Sequence, residues 1–138
     1  MGKHHKKAGD GVDIVTALPA TDIARHAKKA LDISKGSGLG KARMALTGES
    51  ADGLTFAVQN ILGMTLTQFR LTITDDGSRR TAVAALGEYT TSQTTVYFIP
   101  IMPKTIEGYS DYMRWCAALS EFVQAADSAA RVTMRKAQ

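Results

Sequence analysis

Thr94-Thr-Val-Tyr-Phe-Ile99, Pro100-Ile-Met-Pro103-Lys104 and Gly108-Tyr-Ser-Asp-Tyr-Met-Arg-Trp115 make up the stretch whose reading decides the fold. The first run is β-branched and aromatic and reads as a strand, and the two prolines stop it. From Gly108 apolar residues recur at helical spacing to about Ala126. Tyr109, Tyr112, Met113, Cys116, Leu119, Val123 and Ala126 form one stripe, widened by Trp115 and Phe122. Arg114, Ser120, Glu121 and Gln124 are left for water. Ser110 is the expected N-cap, with Asp111 favourable to the helix dipole. An apolar arc this broad needs a large partner surface, and a sheet is the candidate large enough.

Working outward, Val12-Asp-Ile-Val-Thr-Ala-Leu18 alternates as a strand that Pro19 ends. A helix capped by Thr21 or Asp22 then runs to about Ser34, with Ile23, Ala27, Ala30 and Leu31 inward and Gly36 as its stop. Ala42–Thr47, Leu54–Gln59, Thr65–Thr74 and Arg80–Thr90 read as strands, separated by the turn Gly48–Gly53, by Gly63 and by the hairpin signal Asp75-Asp-Gly-Ser78. Phe69, Leu71 and Ile73 share one face, while Gln68, Arg70, Thr72 and Thr74 share the other. Thr81, Val83, Ala85 and Tyr89 fall on one face, with Gly87 able to admit a bulge. Ala130-Arg-Val-Thr-Met134 is either a short edge strand or a trailing end.

Strands grouped between two helices predict an α+β fold. The expected architecture is a single antiparallel β-sheet of about five to six strands, with an N-terminal helix and a long C-terminal helix on one face. The expected divisions are a flexible basic tail over 1–11, one domain over 12–134 and a flexible C-terminus over 135–138.

A chain of 138 residues with 44% hydrophobic and 22% charged residues has the size and composition of one globular domain. The net charge of +4 lies wholly in residues 1–41, which hold eight basic against four acidic residues; the remainder balances at nine and nine. The basic character thus belongs to the tail and first helix, and reads first as a solvated face. One cysteine, Cys116, excludes an internal disulfide and a cysteine-based zinc site. No run approaches a membrane span, and no apolar segment follows the basic N-terminus as a secretory signal requires. A cytoplasmic setting is the expectation.

Lys35-Gly-Ser-Gly-Leu-Gly40-Lys41-Ala42 invites a phosphate-loop reading that fails. Lys35 stands where the first glycine belongs, Ala42 stands where Ser or Thr must bind magnesium, and the loop leaves a helix to enter a strand. His4, His5 and His26 do not form a metal set, and no histidine is spaced to activate Cys116 or a serine. Glu88 reads as solvent-facing, with an acid role only if it enters a cavity. No catalytic residue, cofactor or metal is therefore assigned.

Residues 42–126 resemble the helix-grip architecture of START-like and polyketide-cyclase-like (SRPBCC) domains. The resemblance lies in element order: a run of antiparallel strands, the proline-bounded exit Ile99-Pro100-Ile-Met-Pro103, and the long helix from Gly108 to Ala126. Smaller two-helix sheets of β-α-β4-α order are the alternative. The resemblance implies an apolar cavity between a curved sheet and the long helix, in a family whose functions run from lipid and hormone binding to cyclase chemistry. A small apolar ligand between sheet and C-terminal helix is then the leading expectation, walled by Phe56, Phe69, Leu71, Tyr89, Tyr109, Met113, Trp115 and Leu119. The alternative is an interaction or homo-oligomerisation module using Val96, Phe98 and Ile101, or Trp115 and Phe122. Nucleic-acid binding through the basic N-terminal region ranks third.

Overall fold

The computed structural model describes residues 9–34, 43–60, 62–89, 91–92, 95–96, 99–100, 105–106 and 108–135. The order is β1 (Gly11–Thr16), α1 (Ala20–Ser34), β2 (Arg43–Ser50), β3 (Gly53–Gln59), β4 (Thr65–Asp75), β5 (Arg80–Tyr89), the two-residue strands β6 (Thr91–Ser92), β7 (Thr95–Val96), β8 (Ile99–Pro100) and β9 (Thr105–Ile106), α2 (Tyr109–Ala126) and β10 (Arg131–Arg135). Six strands make one open antiparallel sheet in the order β10-β1-β5-β4-β3-β2, with both helices packed on it. The α+β class, the single antiparallel sheet and the two helices agree with the sequence.

The sheet's inner face carries Val12, Ile14, Leu54, Phe56, Val58, Phe69, Leu71, Ala82 and Ala84, all buried. α1 adds Ile23, Ala27, Ala30 and Leu31, the four positions its periodicity marks. α2 adds Tyr112, Trp115, Cys116, Leu119 and Val123. Trp115 stands at the centre rather than the margin of the stripe, because α2 packs on α1 as well as on the sheet: its indole N–H donates to the Ala27 carbonyl at 3.1 Å. The same double packing buries Ser120, which the sequence leaves for water. Its hydroxyl bonds back to the Cys116 carbonyl at 2.8 Å.

α2 lies along β1 and is pinned at both ends. At its start the Tyr112 hydroxyl donates to the Asp10 carbonyl at 2.9 Å, and the Tyr109 hydroxyl donates to the Asp10 carboxylate. At its end the Asp127 carboxylate accepts from the Thr16 hydroxyl at 2.6 Å and the Ala17 N–H at 3.1 Å. The spans match: 18 helical residues cover ~27 Å, and the seven steps from Asp10 to Ala17 cover ~23 Å.

Several local expectations shift. Of the expected 94–99 strand the described residues are Thr95, Val96 and Ile99, and they are not in the main sheet: Thr95–Val96 pair with Ile99–Pro100 in a separate two-stranded ladder, where the proline has no N–H to extend it. The place beside β1 belongs to Arg131–Arg135, which settles the trailing segment as an edge strand. Helix α1 starts at Ala20, with the Pro19 carbonyl taking the Asp22 and Ile23 N–H groups, so neither Thr21 nor Asp22 is the cap. Ser110 is inside α2; the cap is Gly108, at φ 82°, where a Cβ would lie 2.8 Å from Val58. Asp10, placed by the sequence in the tail, is 3% exposed. Residues 35–42, residues 1–8, Phe98, Ile101 and Pro103 lie outside the described residues, as does the side chain of Val96.

Candidate functional site

Between Phe69 and Thr67 on β4, and Leu86 and Tyr89 on β5, the register slips by one residue. Three steps on β5 oppose two on β4, so β5 carries a bulge at Gly87–Glu88, where the sequence places it. The extra residue inverts the side-chain parity beyond it. Val83 and Ala85 therefore face outward, while Tyr89 opposes buried Thr67 and turns to the helix side, away from the face it shares with them in a regular strand. Glu88 is exposed, as expected of a solvent-facing residue.

The bulge lies at one end of a trough of about 590 Å³. Thr55 from β3, Gln68, Arg70 and Thr72 from β4, and Val83, Ala85, Leu86 and Gly87 from β5 line it, with Phe69 beneath. Register places them side by side: Arg70 opposes Thr55 and Ala85, and Thr72 opposes Val83. Thr55, Thr72, Val83, Ala85 and Gly87 carry short side chains or none, so the floor is open between them, and the volume falls within the usual range of small-ligand sites. This face is the reverse of the helix-covered one, since Thr55, Arg70, Thr72, Val83 and Ala85 alternate with buried Leu54, Phe56, Phe69, Leu71, Ala82 and Ala84.

The eight residues expected as cavity wall fall into two sets. Phe56, Phe69, Leu71, Trp115 and Leu119 meet in the core, each at most 1% exposed. Their rings touch directly: Phe56 and Phe69 stack at 5.1 Å between centroids, and Trp115 lies 5.0 Å from Phe56 and 4.9 Å from Phe69. Tyr112, which the wall omits, completes the cluster at 4.8 Å from Phe69. Met113 packs at the core's border, Tyr89 is half-buried, and Tyr109 is engaged with Asp10. Only Phe69 is shared with the trough. Trp115, suggested for an interaction face, is fully enclosed, and Phe122 is half-buried beneath the Lys29 ammonium at 4.7 Å and beside His26.

A second polar constellation gathers at the start of β1: Asp10, Tyr109, Tyr112, Cys116 and Arg135. Arg135 donates to the Gly9 carbonyl at 2.9 Å, to the Ala84 carbonyl at 2.7 Å and to Asp13. Burial pushes the Cys116 thiol up to about 12, against the pull of Tyr112 and Arg135. Burial, then the hydrogen bond to Asp10, pushes Tyr109 up to about 12, and burial raises Tyr112 as well. All three therefore hold their protons at neutral pH, the opposite of what a nucleophile needs. The constellation ties chain ends together rather than activating a group. Among the described residues no group of His, Cys, Asp or Glu is placed to hold a metal. No helix among them is long and apolar enough to cross a membrane.

Alternation marks Arg70, Thr72, Val83 and Ala85 as one side of two strands, yet nothing in the sequence says that side stays open; that depends on both helices choosing the other face. No protein-family model, no curated protein and no solved structure matches this chain.

Proposed function

We propose that this domain binds a small, largely apolar ligand, and that the ligand lies in the trough on the outer face of the sheet rather than between the sheet and α2. One observation carries the reading: a hollow of about 590 Å³ spans three strands at the β5 bulge, while the helix–sheet interface is occupied by touching rings. Short apolar side chains with a few polar groups suit such a ligand. The helix-grip resemblance is kept as a reading of element order, with β10 after α2 as its departure. It is compatible with a ligand-binding role but does not choose the face.

Amide NMR with a fragment set tests this. The expected result is shifts confined to Thr55, Gln68, Arg70, Thr72, Val83, Ala85, Leu86 and Gly87, lost in Val83→Trp, which fills the trough. Shifts centred on Phe56, Trp115 and Leu119 would return the site to the helix–sheet interface. Silence at millimolar fragment would favour an interaction module, and sedimentation at rising concentration would then report whether the partner is a second copy.

A further inference from the structure

Taking the trough as the binding site, we infer that its ligand carries an anionic group, received by Arg70 in place of Asp52. Arg70 is the one charged residue among those lining the trough. Its guanidinium lies across β3, where a Cβ on Gly53 would stand 2.9 Å from Nη2 and 3.1 Å from Cζ; the missing side chain is the space the guanidinium uses. Nη1 donates to the hydroxyl of Thr55, itself a lining residue, at 3.0 Å. The cation is thus held at the trough's rim by two features of the sheet.

Its remaining partners are weak. Nη2 reaches the Ser50 hydroxyl at 3.4 Å and the Asp52 carboxylate at 3.3 Å, both at the long end of the hydrogen-bond range. The Asp52 side chain is 73% exposed, and such pairs contribute little. A ligand carboxylate whose tail lies over Val83 and Ala85 makes a charge-assisted contact with a more desolvated partner and displaces Asp52 into water. Asp52 then acts as a built-in competitor: it holds the empty site's charge, and an anionic ligand must displace it before Arg70 can receive the new carboxylate.

Octanoate and 1-octanol, matched in tail and differing in charge, separate this from the parent reading. Both are titrated by amide NMR into the full chain, into Arg70→Gln and into Asp52→Asn, with circular dichroism confirming that each variant folds. Octanoate is expected to bind at Thr55, Arg70, Val83 and Ala85 about tenfold tighter than octanol. In Arg70→Gln the two should fall within about twofold of each other, and in Asp52→Asn octanoate should tighten by about two- to threefold. Equal binding of both probes at those residues, unchanged in Arg70→Gln, overturns the anion inference and leaves the trough standing. Octanoate binding elsewhere, or neither probe perturbing the trough, overturns both.

Discussion

The two faces of one sheet are built on opposite rules. The inner face presents Phe56, Phe69, Leu71 and Ile14 to two helices and closes into a solid aromatic cluster. The outer face, one residue out of phase on the same strands, presents Thr55, Thr72, Val83, Ala85 and Arg70, and leaves a trough. Stability resides in the first face, so the second is free to be shaped by something else. That division predicts that substitutions should separate cleanly into those that unfold the chain and those that alter only what it binds.

The largest effect belongs to Trp115→Ala. The indole is fully buried against Phe56, Phe69 and α1, and truncation leaves a void that three rigid elements cannot close. A loss of about 3–5 kcal/mol is expected in urea unfolding, a large part of a small domain's total. A loss under 1 kcal/mol would show that the inner face is loosely filled, and would reopen it as a ligand site.

Gly11→Ala comes next. A Cβ there would stand 2.8 Å from the Tyr112 hydroxyl and 2.5 Å from Arg135 Nη2, with the Ala84 carbonyl closer still. The side chains can turn, but that carbonyl cannot move without parting β1 from β5. The expected cost is about 1–3 kcal/mol, read from the urea midpoint. An unchanged midpoint would mean that the end of the sheet yields more easily than its centre.

How far these faces were legible in the sequence depends on the range of the interaction. Phe69-x-Leu71-x-Ile73 and the Tyr112-to-Val123 stripe are local patterns, so strands, helices and inner core followed from them. Gly87 signalled the bulge for the same reason. Three features needed partners far along the chain. Arg131–Arg135 became a strand because β1 offered an edge; Ser120 was buried because α1 lay beside α2; and Asp10 joined the fold through hydroxyls 99 and 102 residues away. Of the eight expected ligand-wall residues, the bulky ones were chosen for size, and size is what filled the core. The trough residues mix short apolar side chains such as Val83 and Ala85 with polar ones such as Thr55, Arg70 and Thr72, and only the three-dimensional choice of face makes them a surface.

The inner face should also weaken in alkali. The Cys116 thiol is raised from 9.0 to about 12 by burial, so the folded chain keeps a proton that the unfolded chain releases. Stability from this group is whole below pH 9 and is lost as the pH rises toward 12. At pH 10 the loss is about 1 kcal/mol relative to neutrality, and it should vanish in Cys116→Ala. A wild-type and a variant that weaken in parallel would place the alkaline sensitivity elsewhere, Tyr109 being the next group to examine. Native Cys116 should meanwhile resist a thiol reagent that labels it fully in urea.

The smallest effects should lie on the outer face, and they test the division most sharply. Thr72 is exposed and Val83 half-buried, and they oppose each other across β4 and β5. Val83→Thr and Thr72→Val each change polarity at nearly constant shape, with no helix of the described residues packed on that face to feel it. Each should move the unfolding free energy by no more than about 0.5 kcal/mol. Binding in the trough should respond in opposite senses, since one change makes the floor more polar and the other less so: an apolar probe should weaken with Val83→Thr and strengthen with Thr72→Val. If Val83→Thr instead costs as much as a core truncation, something packs on that face in the folded molecule. The two faces would then be two halves of one larger core, and the trough would be the seat of that missing layer.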